Sequence, residues 1–195
     1  IFKVIGEKNE FEKVKHLVSL GAKINLANKY GNYLADNVAK SSFNPDLFDF
    51  LISKNMNFKI KNKEGFTPLM LASRSNFNYE VVKKIIDIGG NVNAKTSKQL
   101  TSLMLALESN KNFQIAELLI KKGANVNART LNGFSPVLFA AYNGNRGYNK
   151  KEKKLSIPLV KMLLDAGANI NNVTEYGSNV LHIAVTSNIS PYLTL

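Results

Sequence analysis

The sequence predicts an all-α solenoid of about six helix-turn-helix units, stacked on one another and joined by short β-hairpin loops. Two recurring patterns lead to this prediction. A phrase seen most clearly as Gly123-Ala124-Asn125-Val126-Asn127 begins at residues 21, 55, 89, 123 and 167. A turn position, occupied by glycine or glutamine, recurs at residues 31, 65, 99, 133 and 177. Both series have intervals of 34, 34, 34 and 44 residues, which two unrelated patterns do not share by chance.

The first helix of each unit is predicted just after this turn position. Thr67-Pro68 provides a hydroxyl group that caps a helix and a proline at the first helical residue, where no backbone N–H is needed. Further along the predicted first helix, the same position is alanine in four units, namely Ala72, Ala106, Ala140 and Ala184. Such small side chains let neighbouring helices approach closely, so the pattern predicts a layer of packed first helices.

The second helix of each unit is predicted from its two ends. Good N-cap residues recur at its start, namely Asn44, Asn78, Asn112, Ser156 and Ser190. The helix body has apolar residues at helical spacing. One example is the set Val81, Val82, Ile85 and Ile86. A glycine in the left-handed conformation is expected to end the helix, and Asn55 is the tolerated substitute in the unit that has no glycine there.

The longest interval places ten extra residues between the two helices of the fifth unit, around residues 144–155. This stretch is strongly basic and contains Arg146, Lys150, Lys151, Lys153 and Lys154. Its lysines can contact phosphate groups or an acidic protein surface. The alternative is a solvated excursion without a partner, or a short extension of the flanking helix. Only one tyrosine is interposed, so the aromatic pattern of single-strand nucleic-acid platforms is missing.

The units resemble the ankyrin repeat. The resemblance rests on Glu64-Gly65-Phe66-Thr67-Pro68-Leu69-Met70-Leu71-Ala72, Gly123-Ala124-Asn125-Val126-Asn127-Ala128 and Val180-Leu181-His182-Ile183-Ala184. It covers nearly the whole chain and implies a single ankyrin-repeat solenoid domain over residues 1–195. The repeats are expected at about 1–27 (partial), 28–60, 61–94, 95–128, 129–171 with the basic insertion, and 172–195 (partial). Because both terminal repeats are partial, a longer natural protein is expected. The abundant Lys, Asn and Ile indicate an AT-rich genome and a bacterial-type ankyrin protein.

The residues give no support for catalytic chemistry. The chain has no cysteine, which excludes disulfides, thiol catalysis and cysteine-based zinc sites. The resemblance implies a structural role for His182, and His16 is expected to be a partly exposed helix residue. Neither histidine has an Asp or Glu at metal-ligand spacing. We therefore expect a chain that is not an enzyme, with no metal, no cofactor, no small-molecule substrate and no membrane span.

The resemblance also implies a concave groove, lined by hairpin tips and first helices, whose free residues select a partner. Large side chains and one arginine at these positions are the candidate partner-binding residues, because interface hot spots are rich in Tyr and Arg. They are Tyr30, Phe66, Arg74, Leu100, Leu131, Phe134, Tyr142 and Tyr176. Phe66, Leu100 and Phe134 share one register, so packing along the hairpin layer is an equally open interpretation for them. Exposure is expected for Tyr30, Tyr142 and Tyr176.

The predicted function is a protein–protein interaction module or scaffold that binds another protein through this groove. Two alternatives stay open. One is polyanion or nucleic-acid binding through the net charge of +12 and the 146–154 loop, although codon bias also explains the lysines. The other is the recognition arm of a larger enzyme or of a secreted effector. Localisation is expected to be cytoplasmic, or in a host cell for a secreted effector.

Overall fold

A computed structural model describes residues 3, 5–6, 9–109, 112–145 and 156–185. Ten α-helices lie in these residues. They are α1 (Glu10–Ser19), α2 (Leu34–Ser41), α3 (Pro45–Ser53), α4 (Pro68–Ser75), α5 (Tyr79–Asp87), α6 (Ser102–Ser109), α7 (Phe113–Lys121), α8 (Pro136–Asn145), α9 (Ser156–Asp165) and α10 (Val180–Val185). The described residues contain no β-strand, and the expected hairpins are tight turns with one isolated antiparallel bridge between Ala27 and Tyr33.

The helices form two layers. The first-helix layer consists of α2, α4, α6, α8 and α10, and each of these helices contacts the next one along the chain. The second-helix layer contains α1, α3, α5 and α7, which also contact one another in sequence, and α9, which packs on α8. A single hydrophobic core lies between and within the layers, from Val14 to Ile183. This arrangement confirms the predicted all-α repeat solenoid.

The helix starts follow the predicted capping chemistry. Thr67 Oγ1 accepts a hydrogen bond from the Met70 N–H at 3.2 Å, ahead of a helix that begins at Pro68. The second helices begin in the same way with an asparagine cap. The side-chain oxygens of Asn44, Asn78 and Asn112 accept from the backbone N–H two residues later, at 2.9, 3.0 and 3.2 Å. A side-chain oxygen in each case satisfies a donor that has no partner inside the helix.

Helix α9 is described from Ser156 onwards, and the residues immediately before it lie outside the described part of the chain, so the cap at Ser156 stays a prediction. Ser190 lies outside the described residues.

The second helices end as predicted. Gly123 closes α7 with a φ of 84°, and Asn55 takes the same left-handed conformation after α3 with a φ of 59°. Asparagine tolerates this region better than most residues with a β-carbon. Gln99 also adopts the left-handed conformation, with a φ of 62°. The other four turn positions in this series are glycine.

Burial is highest in the middle of the stack. Every residue of α6 from Ser102 to Glu108 is buried, because α4 and α8 cover it on both sides. Three of the four register alanines are buried, whereas Ala184 on α10 is exposed at the end of the described chain. In α10 only Ile183 is buried.

The basic insertion falls at a boundary of the described chain. Helix α8 extends to Asn145, so the beginning of the predicted insertion continues this helix. Arg146, Lys150, Lys151, Lys153 and Lys154 lie outside the described residues.

Candidate functional site

The five hairpin tips form one continuous strip, which we call the hairpin edge (residues 21–33, 55–67, 89–101, 123–135 and 167–179). Backbone hydrogen bonds join neighbouring tips. They run from Lys63 N to Gly31 O (3.3 Å), from Leu131 N to Lys98 O (3.3 Å) and from Glu175 N to Asn132 O (3.1 Å). The second and third tips are also close, since a β-carbon added to Gly65 would lie 3.5 Å from the Ser97 backbone nitrogen. The edge is therefore one connected surface.

Each tip is held by a side-chain oxygen three residues before the turn position. Asn62 Oδ1 accepts the N–H groups of Glu64 and Phe66, both at 3.0 Å. Thr130 Oγ1 accepts the N–H of Phe134 at 3.0 Å. The same role falls to Asn28, Thr96 and Thr174. These anchors were not predicted, although Asn or Thr recurs at this register in every unit and is typical of turns.

A second set of side chains joins consecutive loops. Asn127 Nδ2 donates to Gly167 O at 2.9 Å, and Asn127 Oδ1 accepts the Asn169 N–H at 2.8 Å. Asn25 and Asn93 form the equivalent pairs of bonds with the loops that follow them. We call these three residues the amide bridges. Together with the anchored tips, they hold the hairpin edge in a fixed conformation.

Four of the predicted partner-binding residues are accessible. Tyr30, Leu131 and Tyr176 stand on the tips with exposed fractions of 66%, 66% and 64%. The Lys29 Nζ lies 4.9 Å from the centroid of the Tyr30 ring, a cation–π distance. The Tyr176 hydroxyl hydrogen-bonds with Glu175, which raises the pKa of this phenol. Arg74 is exposed in the last turn of α4. The exposure predicted for Tyr30 and Tyr176 is thus confirmed.

The other four candidates are not free surface residues. Leu100 and Phe134 are buried, with exposed fractions of 4% and 1%, because the tip folds back and turns the residue after the turn position into the core. The Phe134 ring packs edge-on against Phe139 with centroids 5.8 Å apart. Phe66 is partly buried against the same core. For Leu100 and Phe134, packing is the correct interpretation, and for Phe66 partial burial leaves a binding role a prediction.

The exposure predicted for Tyr142 is wrong. Its side chain is 8% exposed and belongs to the hydrophobic core, in a helix that packs against α6, α9 and α10. The register identified Tyr142 as the outward end of a first helix. It did not reveal that this side chain is part of the core.

The histidines are placed as the sequence analysis expected. His16 is exposed on α1. His182 lies in the first turn of α10, with its Nδ1 2.7 Å from Asn179 Oδ1. The Asn179 side chain also accepts the His182 N–H at 3.1 Å, so the pair caps the start of the helix. In the described part of the chain, no group of three or more His, Asp or Glu side chains is arranged to hold a metal ion.

No helix among the described residues is both long and apolar enough to cross a membrane. A family model described as ankyrin repeats (3 copies) matches residues 3–96, 75–150 and 103–194. These overlapping matches span nearly the whole chain. Among curated proteins, none matches the sequence.

Proposed function

We propose, from the premise that this chain belongs to the ankyrin repeat family, that it binds a partner protein through the exposed side chains of its hairpin edge. Ankyrin repeats are protein–protein interaction modules, and the family itself is not an enzyme family. The observation that carries the proposal is the exposure of Tyr30, Leu131 and Tyr176 on the first, fourth and fifth tips of one continuous edge. Arg74, in the last turn of α4, is the fourth accessible candidate and lies outside the hairpin edge.

The rigidity of the hairpin edge favours binding. A large side chain on a flexible loop loses conformational entropy when it binds, and this loss reduces affinity. Here each tip is closed by a side-chain anchor and bonded to its neighbour, so the backbone is already ordered before a partner arrives. Tyrosine adds a large contact area with only two rotatable side-chain bonds.

The proposed surface is narrower than the predicted groove. Leu100, Phe134 and Tyr142 pack inside the stack and therefore support the surface from below. Substituting them would disturb the fold as well as any binding. A test of function must use exposed residues only.

The test compares two variants of the chain immobilised on resin. The edge variant carries Tyr30→Ala, Leu131→Ala and Tyr176→Ala. The control variant removes three large apolar side chains that are also exposed but lie next to the connections between first and second helices, with Phe43→Ala, Phe77→Ala and Ile157→Ala. Binding partners are captured from a lysate of the source organism and quantified by mass spectrometry. Thermal melting of both variants checks that they fold.

We expect at least one protein whose recovery falls by about tenfold or more in the edge variant, because a few aromatic anchors supply most of the energy of an interface. Its recovery should stay within about twofold in the control variant. Equal recovery by the edge variant and the unsubstituted chain would contradict the proposed surface. Equal losses of recovery in both variants would show that the capture depends on nonspecific hydrophobic binding.

A further inference from the structure

The charges of the described residues are unevenly distributed. The five second helices, together with their C-cap residues Lys54 and Lys122, carry eight basic and eight acidic side chains. The first-helix layer carries two of each, Lys40 and Arg74 against Asp36 and Glu108. Both helix layers are therefore neutral. The excess positive charge of the described chain lies almost entirely on the hairpin edge, with eight basic and two acidic residues.

Within the hairpin edge, this charge is concentrated in the first three loops. Their seven basic residues are all exposed lysines, and Glu64 is their only acidic residue. We call this set the lysine edge. It consists of Lys23, Lys29, Lys59, Lys61, Lys63, Lys95 and Lys98. The first and second of these tips are joined by a backbone hydrogen bond, and the second and third lie against each other, so these ammonium groups share one surface.

The lysine edge differs from the helix layers in its pairing. On the second helices Lys84 lies 2.6 Å from Asp49, Lys122 lies 2.9 Å from Asp87 and Lys121 lies 2.7 Å from Glu117. Within the described ranges, by contrast, no carboxylate lies within 4.0 Å of a lysine-edge ammonium. Lys61 Nζ donates instead to the carbonyl oxygen of Lys95 at 2.9 Å.

We propose that the lysine edge binds an acidic, extended polypeptide segment of the partner protein, an inference that rests on the proposed function. The carboxylates of such a segment would supply the counter-charges that the chain itself supplies on its helices. Lysine suits this role, because its ammonium group is a flexible point charge that follows carboxylates in many geometries. The positive potential also attracts an acidic segment before contact and increases the association rate.

The composition of the edge favours a polypeptide over a nucleic acid. In these three loops Tyr30 is the only aromatic residue with an exposed side chain. Platforms for single-stranded nucleic acid use several stacked rings in succession. The same edge continues into the exposed Leu131 and Tyr176. A polypeptide that carries acidic residues followed by apolar anchors matches both parts of the surface.

The test measures binding of two labelled probes to the full 195-residue chain by fluorescence anisotropy at about 0.1 M salt. One probe is a 12-residue oligoglutamate peptide, and the other is a 12-nucleotide single-stranded oligothymidylate. The edge variant carries Lys63→Gln, Lys95→Gln and Lys98→Gln. The control variant carries Lys15→Gln, Lys54→Gln and Lys161→Gln, which lie in or directly after second helices and change the net charge by the same amount.

We expect the edge variant to bind oligoglutamate about tenfold more weakly than the unsubstituted chain, because several modest ion pairs add up. The control variant should bind within about twofold of it. Similar weakening in both variants would overturn the proposal, because net charge alone would explain binding. Tighter binding of oligothymidylate, with a steep log-linear salt dependence, would assign the edge to nucleic acid instead.

Failure of this inference can be separated from failure of the proposed function. The probes need no natural partner, so oligoglutamate that does not bind overturns the acidic segment directly. The capture experiment with Tyr30, Leu131 and Tyr176 would still stand in that case. Loss of the captured protein in that experiment would then indicate a partner that lacks an acidic segment.

Discussion

At the scale of single residues, Asp36 combines burial with an incompletely hydrogen-bonded carboxyl group. It lies in the first turn of α2, is 3% exposed, and caps the helix by accepting the Tyr33 N–H at 2.8 Å. Its other oxygen, Oδ1, is buried and has no hydrogen-bond partner among the described residues. Burial raises the pKa of Asp36 to about 6, because the ionised form has lost its water, while the bond from Tyr33 acts in the opposite direction.

This raised pKa predicts a particular pH dependence. Between the ordinary pKa of 3.8 and the folded value of about 6, the folded chain holds a proton that the unfolded chain has lost. Ionisation of Asp36 therefore lowers the free energy of unfolding as the pH rises through this window. In Asp36→Asn the side chain no longer ionises. The stability of this variant relative to the unsubstituted chain should improve by about 2 to 3 kcal/mol from about pH 4 to pH 7.

Urea unfolding at several pH values measures this difference. The comparison is made between the two chains at each pH, which cancels the contributions of the other carboxylates. A stability difference that stays constant across the window would show that the Asp36 carboxylate is better solvated than its burial indicates.

Individual residues also show which features of the fold can be predicted from the sequence. The period identified equivalent positions and gave Asn55 its left-handed turn and Asn78 its cap correctly. It could not distinguish Tyr142 from Tyr30, because both occupy nominally outward positions. Exposure depends on which elements pack together, and Tyr142 belongs to the core in a helix, α8, that packs against three other described helices. Periodicity within one unit contains no information about such contacts.

At the scale of the elements, the amide bridges are expected to couple neighbouring units. Asn127 contributes two hydrogen bonds between consecutive loops, and Asn171 occupies the same register in the last described loop. In the described residues the Asn171 side chain has no following loop to bind. The pair therefore allows one asparagine to be compared with another in the same backbone position.

We expect Asn127→Ala to lower the free energy of unfolding by about 1 to 2 kcal/mol, since two solvent-exposed hydrogen bonds between consecutive loops are lost. Asn171→Ala should change it by less than about 0.5 kcal/mol, as is usual for a surface substitution away from such bonds. Chemical denaturation of both variants checks this prediction. Equal effects of the two substitutions would mean that the amide bridges contribute nothing beyond local turn geometry.

At the scale of the whole molecule, stability should vary along the stack. In a repeat array each unit contacts only its neighbours, so a unit covered on both sides is held by two interfaces and a terminal unit by one. Helix α6 is buried from Ser102 to Glu108, whereas α10 buries Ile183 alone. The structure thus predicts that the end of the described stack opens more often than its middle.

Hydrogen exchange measured by mass spectrometry tests this gradient on the full chain. Backbone amides in α6 and α7 should exchange at least about tenfold more slowly than those in α10. Peptides covering α1 should exchange at a rate between those of α6 and α10, or close to the rate of α10. Uniform exchange rates from α1 to α10 would indicate that the array unfolds as a single cooperative unit.

The neutral helix layers and the positively charged hairpin edge also give the described part of the chain an electric dipole moment. Its positive end lies at the loops, and its axis crosses the stack from the second helices towards the tips. In the field of an acidic molecule this dipole exerts a torque, so the chain turns its loops forward while the two are still separated by water. Added salt shortens the range of that field to about 10 Å at 0.1 M and would slow the encounter without altering the final contacts.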